Sequence, residues 1–220
     1  MEGQSACMRI VLWGSTGQAV VLAELYERLG VPIEALFDND PLATSVLHGV
    51  PLYLGGEGFQ RWLERRDPGP VMGLAAIGGT RGPDRLDVQA AFERNGIAVA
   101  TAVHPAAYVA SNAVVGKGSQ MLAGSVVAAR ARIGEACIVN TRASVDHECE
   151  LEAGVHIGPG ATLAGCVTVG RNAFVGSGAV VLPRVTIGAG SIVGAGSVVT
   201  RNVEAGVVVV GNPARVLRVR

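Results

Sequence analysis

One apolar residue recurs at every sixth position through the second half of this 220-residue chain. The series runs from Val103 to Val199 without an insertion and contains seventeen residues, all of them Val, Ile, Leu or Met. Four positions after each member stands a small or slim residue, as at Ala107, Cys137 and Val155. Two constrained positions in every six, held over so long a stretch, indicate an internal structural repeat.

Short strands joined by tight turns account for this period. Residues two apart in a strand share a face, so the slim residue and the apolar residue two positions later point to the same side. Three hexads close one triangular coil of about 18 residues, and stacked coils bury both columns along one axis. We therefore predict a parallel β-helix with a C-terminal tail over 103–220, its repeats rising about 27 Å at about 4.8 Å per coil.

Residues 9–100 follow a different pattern, in which buried strands alternate with helices. Three apolar runs, RIVLWG, IEALFDND and PVMGLAAIGG, predict strands that end in glycine or in acidic residues. Two longer stretches, STGQAVVLAELYERLG and PDRLDVQAAFERNG, predict helices that end at a glycine. We therefore predict a small parallel α/β domain over 1–102.

The three predicted strands end in loops that suit a bound nucleotide. Glycine at the carboxyl end of a parallel strand lets phosphate groups approach the backbone and the N-terminus of the next helix. The glycines do not form the GxGxxG motif, so ordinary strand-to-helix turns remain an alternative, and nothing downstream suits hydride transfer by NAD. The candidate substrate-binding residues are Ser15, Thr16, Gly17, Gln18, Asp38, Asn39 and Gly78.

Charge and hydropathy weigh against several classes of partner. The 18 basic and 18 acidic side chains balance, which gives no general reason to expect nucleic acid or an anionic membrane as a partner. The sequence shows neither an apolar run long enough to span a bilayer nor a secretory signal pattern. Its four cysteines lack the paired spacing of a metal site. We therefore expect a reduced, cytoplasmic protein without membrane insertion.

Ionisable residues interrupt the repeat in one stretch, SVDHECELEAGVHIG, over 144–158. His147 is the third residue of a hexad and is expected at a coil corner, with an outward side chain beside Glu148. His156 follows nine residues later, which is half a coil, so the two histidines should lie on different sides of the prism. They are not expected to share a metal ion within the chain, and we predict no metal. Zinc shared between subunits, as in a carbonic-anhydrase-like trimer, stays an alternative.

With both halves in view, the chain resembles the PglD/NeuD-type sugar acyltransferases over nearly its whole length. The resemblance rests on GSTGQA, FDND, AIGG with Arg85 soon after, NTRASVDHECELEAGVHIGPGA and VGNPARVL. It implies a Rossmann-like N-terminal domain, a left-handed β-helix, and a homotrimer with active sites between subunits. The family usually has a histidine after the glycine of the first loop, where this chain has Gln18, whose amide can still donate and accept hydrogen bonds.

The resemblance also implies the substrates and the roles of individual residues. The substrates are acetyl-CoA and a UDP- or GDP-linked 4-amino-4,6-dideoxy sugar for bacterial surface-glycan synthesis, with direct transfer to the 4-amino group. His147 matches the general base, and Glu148 matches the residue that modulates it. The positions that match acetyl-CoA contacts, or that suit a CoA phosphate, are His156, Ser177, Ala195 and Arg215.

Other functions remain open on the sequence alone. The same base would serve O-acetylation of a sugar such as sialic acid, whereas a non-catalytic trimer that binds nucleotide sugars would leave the His147–Glu148 pair unexplained. An acyl-cysteine route is not expected. Cys137 and Cys149 occupy the slim inward position, and nothing in the sequence identifies a base for Cys166.

Overall fold

Strands that start eighteen residues apart lie side by side in the second half of the computed structural model, which describes residues 8–219. The chain forms two compact units. One comprises the residues up to 77 together with 87–100, and the other comprises 78–86 together with the residues from 101 onward. None of the helices in the described part of the chain combines the length and the apolar content that crossing a membrane needs.

The first unit alternates strands and helices, as its apolar runs predict. Its elements are β1 (Arg9–Trp13), α1 (Gly17–Arg28), β2 (Ile33–Asp38), β3 (Leu52–Leu54), α2 (Gly55–Arg65), β4 (Val71–Ala75), α3 (Gly82–Arg94) and β5 (Ala98–Val99). Helix α3 begins in the 78–86 segment, which belongs to the second unit. Neighbouring strands of the sheet are parallel, in the order β3-β2-β1-β4-β5.

Aromatic rings fill the core of this first unit, although aromatic residues make up only 4% of the chain. Phe37 of β2 lies 5.0 Å from Phe59 and 5.3 Å from Trp62, both on α2, in edge-to-face contacts. Phe92 of α3 packs against Gly73 of β4, where a Cβ atom would lie 2.6 Å from the ring. Each aromatic pair contributes about 0.5–1.5 kcal/mol to stability beyond the burial of its apolar area. These pairs fix the helices on the sheet.

The second unit contains the predicted run of short strands, arranged in three sheets whose neighbouring strands are parallel except at the C-terminal edge. The six-stranded sheet comprises β7 (Tyr108–Val109), β10 (Val126–Val127), β13 (Ser144–Val145), β16 (Thr162–Leu163), β19 (Val180–Val181) and β22 (Val198–Val199). The five-stranded sheet comprises β8 (Val114–Val115), β11 (Arg132–Ile133), β14 (Glu150–Leu151), β17 (Thr168–Val169) and β20 (Thr186–Ile187).

The third sheet has eight strands and includes the C-terminal tail. It comprises β6 (Ala102–Val103), β9 (Gln120–Met121), β12 (Ile138–Val139), β15 (His156–Ile157), β18 (Phe174–Val175), β21 (Ile192–Val193), β23 (Val207–Val210) and β24 (Arg215–Val219). Strand β23 continues the parallel stack, and β24 pairs antiparallel with it at the edge of the sheet.

The core of the second unit consists of the two columns that the sequence period predicts. Val145 pairs with Leu163, and Leu163 pairs in turn with Val181, so ladder partners are eighteen residues apart. All three side chains are fully buried, as are the slim residues Ala143 and Ala161 that precede the first two. The predicted coil of three hexads is therefore confirmed, with both columns pointing to the axis.

Left-handed backbone conformations close several corners of the coils. Within residues 8–219, seven non-glycine residues have φ between 53° and 61°. Four of them form one column, with each member eighteen residues after the last: Arg130, Glu148, Cys166 and Arg184. This conformation costs an L-residue about 1–2 kcal/mol, and the ladder imposes it, as in the bond from the Glu148 N–H to the Ala129 carbonyl at 3.0 Å. Side chains in this column therefore emerge from the corner at fixed positions.

Candidate active site

The corner between β13 and β14 carries the ionisable residues that the sequence singles out. Asp146 follows β13, and its Oδ1 atom accepts a hydrogen bond at 2.6 Å from the His147 N–H. Glu148 comes next in the left-handed conformation, with φ at 56°. The turn directs both side chains outward, and they are 54% and 48% exposed. The predicted corner position of His147 is confirmed.

Glu148 orients the imidazole ring of His147. The Nδ1 atom of His147 lies 3.2 Å from Oε2 of Glu148. An ionised carboxylate only accepts hydrogen bonds, so the proton of the neutral ring belongs on Nδ1. The lone pair then resides on Nε2, which is the atom that can take a proton from a substrate.

Gly165 supplies the space for this ring orientation. It lies in the next coil, eighteen residues after His147, and a Cβ atom on it would lie 2.4 Å from Nε2 of His147. The sequence predicts that Ala129 and Gly165 leave room for a ligand beside the histidine. On the Gly165 side, the ring itself takes up that room. Any larger residue at position 165 would therefore displace the imidazole.

The column of left-handed residues places two further groups against Glu148. Nη1 of Arg130, one coil earlier, lies 3.5 Å from Oε1, and Sγ of Cys166, one coil later, lies 4.0 Å from Oε2. Both contacts are partly exposed to solvent, so each contributes little to stability. Together they show that Glu148 interacts with both neighbouring coils, and that Cys166 adjoins a carboxylate that the sequence analysis did not assign to it.

An open groove of about 300 Å³ adjoins this corner on the side of the five-stranded sheet. Two guanidinium groups and two carboxylates contribute to its wall, so a polar ligand of either charge would find partners there. The residues that line it are Asn112, Val114, Arg130, Arg132, Glu148 and Glu150.

The other two cysteines of the described β-helix are structural. Cys137 and Cys149 are fully buried in the slim inward column. Burial raises the pKa of each thiol to about 11, so neither provides a thiolate at neutral pH. Cys166 differs because it lies at a corner and is only half-buried.

His156 lies on β15, away from the corner that holds His147, so the two histidines are on different sides of the prism as predicted, and His156 is buried at 4% exposure. Its Nδ1–H donates a hydrogen bond to the Gly79 carbonyl at 3.1 Å, and its Nε2 atom accepts one from the side-chain amide of Asn140 at 3.0 Å. Burial, and next the positive charge of Arg85, lower the pKa of His156 from 6.5 to about 4. The ring is therefore neutral at physiological pH, with its proton on Nδ1.

Arg85 holds the segment 78–86 against the β-helix. Its side chain is fully buried, and its Nε and Nη2 atoms donate to the carbonyls of Ala136 and Gly154 at 2.8 and 2.6 Å. Burial lowers its pKa to about 10, which leaves the group charged at neutral pH. Gly82 packs equally closely, since a Cβ atom there would lie 2.4 Å from the Gly154 carbonyl. The sequence gives no sign of this role beyond the presence of Arg85 after AIGG.

An exposed strip of small residues follows the corner between the eight-stranded and six-stranded sheets. Pro159, Ser177 and Ala195 are exposed and lie one coil apart. Each is followed by a glycine with φ of 64° to 66°, beside which no atom would lie within 4 Å of an added Cβ. The three positions therefore form an open strip along this corner of the β-helix. Arg215, also proposed for the cofactor, is exposed on β24, and its Nη1 donates to the Ala214 carbonyl at 2.9 Å.

In the first unit, the loops after β1 and β2 meet at the carboxyl edge of the sheet. The Ser15 N–H donates to Oδ2 of Asp38 at 2.7 Å, and the Ser15 hydroxyl donates to the Thr44 carbonyl at 2.7 Å. Gly14 has φ of +123°, and a Cβ atom on it would lie 2.3 Å from the Ala76 carbonyl beyond β4. The hydrogen bonds of Ser15 therefore connect the loops at this edge of the sheet and stabilise them.

The remaining predicted substrate residues occupy varied positions. Thr16 and Gly17 are exposed at the start of α1, Gln18 is half-buried on its first turn, and Asn39 is exposed after β2. Gly78 follows β4 along the chain and belongs to the second unit. The contact of each with a substrate stays a prediction.

Comparison with known proteins finds a family model that matches part of the second unit and solved structures whose matches span both units. A family model described as bacterial transferase hexapeptide (six repeats) matches residues 166–201. PerB from Caulobacter crescentus, crystallised with CoA and GDP-perosamine, is 35% identical with a TM-score of 0.87, over 96% of this chain and 97% of its own. The acetyltransferase domain of PglB from Neisseria gonorrhoeae, with acetyl coenzyme A, is 31% identical with a TM-score of 0.83, over 95% of this chain and 98% of its own.

A third solved structure, WeeI from Acinetobacter baumannii, is 26% identical with a TM-score of 0.84, over 96% of this chain and all of its own. Two further structures of the Caulobacter perosamine N-acetyltransferase, also with CoA and GDP-perosamine, carry a single histidine replaced by asparagine or by alanine. These matches confirm the predicted fold class, a left-handed parallel β-helix preceded by a Rossmann-like domain.

The low pKa of His156 predicts a specific dependence of stability on pH. Because the folded state favours the neutral ring, its contribution is complete above about pH 6.5 and is lost as the pH falls toward 4, with a total loss of about 3 kcal/mol. We expect His156→Gln to flatten the free energy of unfolding across this window, measured by denaturant titration at constant protein concentration. The exposed His48→Gln variant is the control and should keep the wild-type slope. Equal slopes in wild type and His156→Gln would contradict the prediction.

Proposed function

Because the chain belongs to the PglD/NeuD-type family of hexapeptide-repeat sugar acyltransferases, we propose that it acetylates the 4-amino group of a nucleotide-linked 4-amino-4,6-dideoxy sugar, with acetyl-CoA as the acetyl donor. The observation that carries this proposal is the His147–Glu148 pair, with Nδ1 and Oε2 3.2 Å apart on an exposed corner. The match to PerB, which was crystallised with CoA and GDP-perosamine, supports the substrate class.

The ring orientation of His147 suits a general base in direct acetyl transfer. The sugar amine attacks the thioester carbonyl carbon while Nε2 takes a proton from the nitrogen. The tetrahedral intermediate then expels the CoA thiolate, which receives the proton from the imidazolium. Backbone N–H groups are the proposed donors to the oxyanion. Each acetyl transfer therefore returns His147 to its starting neutral form.

Glu148 has two effects on this base. Its Oε2 atom fixes the proton of the neutral ring on Nδ1, and its charge stabilises the imidazolium once Nε2 has accepted a proton. Arg130 contacts the other carboxylate oxygen at 3.5 Å and helps to orient Glu148. Glu148 and Arg130 are both exposed, so solvent moderates each of these effects.

The strip at Pro159, Ser177 and Ala195 is the proposed path of the pantetheine arm. An extended chain of this kind needs an unobstructed surface, which the left-handed glycines beside each residue provide. We place Arg215 near a CoA phosphate because its exposed guanidinium is a suitable partner. His156 would contribute the carbon edge of its ring, since its two nitrogens already bind Gly79 and Asn140.

The proposed positions suit a site that is shared between copies of the chain. His147 stands at the corner between the six-stranded and five-stranded sheets, whereas the strip follows the corner between the eight-stranded and six-stranded sheets. An acetyl group carried along the strip therefore lies at a different corner from the base of the same chain. We propose a homotrimer in which the corner of one chain faces the strip of the next. Because acetyl-CoA and nucleotide sugars are metabolites of the cytoplasm, we place the reaction there.

A matched pair of variants tests the role of His147. We expect His147→Asn to lower turnover by roughly 10²–10⁴-fold, the range of a lost general base, because asparagine keeps the size and polarity but accepts no proton. The trimer should stay intact in gel filtration. His48→Asn, which alters an exposed histidine of the first unit, should keep full turnover. Near-normal turnover of His147→Asn would rule out the assignment.

A substrate panel tests the reaction itself. Release of the CoA thiol from acetyl-CoA is measured with UDP- and GDP-linked 4-amino sugars and with their 4-hydroxy counterparts and sialic acid. We expect turnover with a nucleotide-linked 4-amino sugar, because an amine is the better nucleophile for the thioester and the first unit provides loops for the nucleotide. Release only with a hydroxyl acceptor would favour O-acetylation instead, and release with no acceptor would favour a binding function.

A further inference from the structure

Three side chains of types that commonly bind metals lie close together around His147, the proposed base. Among the residues that the structure describes, His147, Glu148 and Cys166 each offer one donor atom, and these three atoms all lie within 4.8 Å of one another. Two adjacent coils supply them, because Cys166 follows Glu148 by eighteen residues in the left-handed column. A nitrogen, a carboxylate oxygen and a sulfur form a donor set typical of zinc sites.

The distances in this cluster are close to those of a tetrahedral site. Nδ1 of His147 is 3.2 Å from Oε2 of Glu148, and Sγ of Cys166 is 4.0 Å from the same oxygen. Around Zn²⁺, with bonds of about 2.0 Å to nitrogen and oxygen and about 2.3 Å to sulfur, such atoms are about 3.3–3.7 Å apart. The separations of Oε2 from the other two donor atoms therefore differ from those of a tetrahedral site by only a few tenths of an ångström. The third separation is within 4.8 Å, and the partial exposure of the three side chains leaves them room to adjust.

We propose that this cluster is an inhibitory site for a thiophilic divalent cation such as Zn²⁺. The three protein donors leave one coordination position for water, as in open zinc sites. The inhibitory consequence rests on the proposed role of His147 as the base, whereas the binding itself does not. The metal is an inhibitor here and takes no part in acetyl transfer.

Metal binding removes the base by changing its tautomer. Zn²⁺ takes the lone pair of Nδ1, so the proton of the neutral ring moves to Nε2, and the thiol proton of Cys166 is released to solvent. The Glu148 carboxylate turns one oxygen from the imidazole to the metal. Nε2 then carries hydrogen and has no lone pair with which to accept a proton from the sugar amine. The transferase is inactive for as long as the ion is bound.

This site differs from the metal site that the sequence pattern disfavours. The metal ion that the sequence disfavours is one shared by His147 and His156, which lie on different sides of the prism, His147 at a corner and His156 on β15. The additional donor here is Cys166, which the eighteen-residue spacing places beside Glu148. Arg130 opposes the cation, because its guanidinium is 3.5 Å from Oε1 of Glu148, but that oxygen is not the proposed donor.

Cobalt binding tests the site without any measurement of activity. Co²⁺ is titrated into the full-length protein, and thiolate coordination is followed by its charge-transfer absorption in the near ultraviolet. We expect one bound ion per chain, loss of the band in Cys166→Ser, and displacement of Co²⁺ by Zn²⁺. Cys149→Ala and Cys7→Ser, each of which removes a different thiol, should keep the band. A band that survives in Cys166→Ser, or no band in the wild type, would overturn the proposal.

Inhibition is then measured with Zn²⁺ in the thiol-release assay and reversed with EDTA. Cys166→Ser should keep the basal turnover, because the thiol takes no part in the proposed transfer, and should need at least about tenfold more Zn²⁺ for half-inhibition. Equal sensitivity of Cys166→Ser and wild type would overturn the inhibitory role. If the cobalt band is present but no acceptor supports turnover, the proposed function fails and the metal site stands.

Discussion

The parallel ladder that pairs each β-helix residue with the residue eighteen positions later determines the geometry of the proposed site. It stacks the apolar columns into a continuous core, so each coil is fixed by the ones above and below it. It also fixes the corners, because ladder bonds such as that from the Cys166 N–H to the His147 carbonyl at 2.9 Å hold residues in conformations that they would otherwise avoid. Side chains at the corners thereby acquire positions that a flexible loop would not give them.

The reactive corner depends on one small residue and one strained residue in neighbouring places of this ladder. Gly165 leaves the volume that the His147 ring occupies, and Glu148, held at positive φ, presents its carboxylate to Nδ1. The same stacking places Arg130 and Cys166 on either side of Glu148. A base with a defined tautomer and a cluster of metal-binding donors are thus two consequences of the same column of residues.

The six-residue period predicts the second unit well, because the same two positions of every hexad point to the core and the others point to the surface. Counting in steps of six residues predicts the burial of Val145 and Leu163 and the corner position of His147. It also predicts that His156 lies on a different side of the prism. The contact between Cys166 and Glu148 also follows from the eighteen-residue spacing. It is absent from the sequence predictions, which concern Cys166 only as a possible nucleophile that lacks a base.

Other features depend on contacts that no local pattern encodes. The partners of Arg85 are carbonyls of Ala136 and Gly154, more than fifty residues away, and a backbone carbonyl has no signature in the sequence. Helix α2 begins with Gly55 and Gly56, which are poor helix formers, and packing of Phe59 and Trp62 against Phe37 stabilises it instead. The sequence pattern predicts one boundary, at residue 102. It does not indicate that the segment 78–86 groups with the β-helix, because that grouping depends on contacts between residues distant in the sequence.

The proposed assembly, with the base on one chain and the acetyl carrier on the next, is tested most directly by mixing two inactive variants. His147→Asn chains keep the strip, and Ala195→Trp chains keep the base but block the strip. If the base and the strip come from different chains, trimers assembled from an equal mixture should regain about a quarter of wild-type turnover, because each half of a site is intact in half of the chains. Turnover no higher than the average of the two parent variants would contradict the shared site.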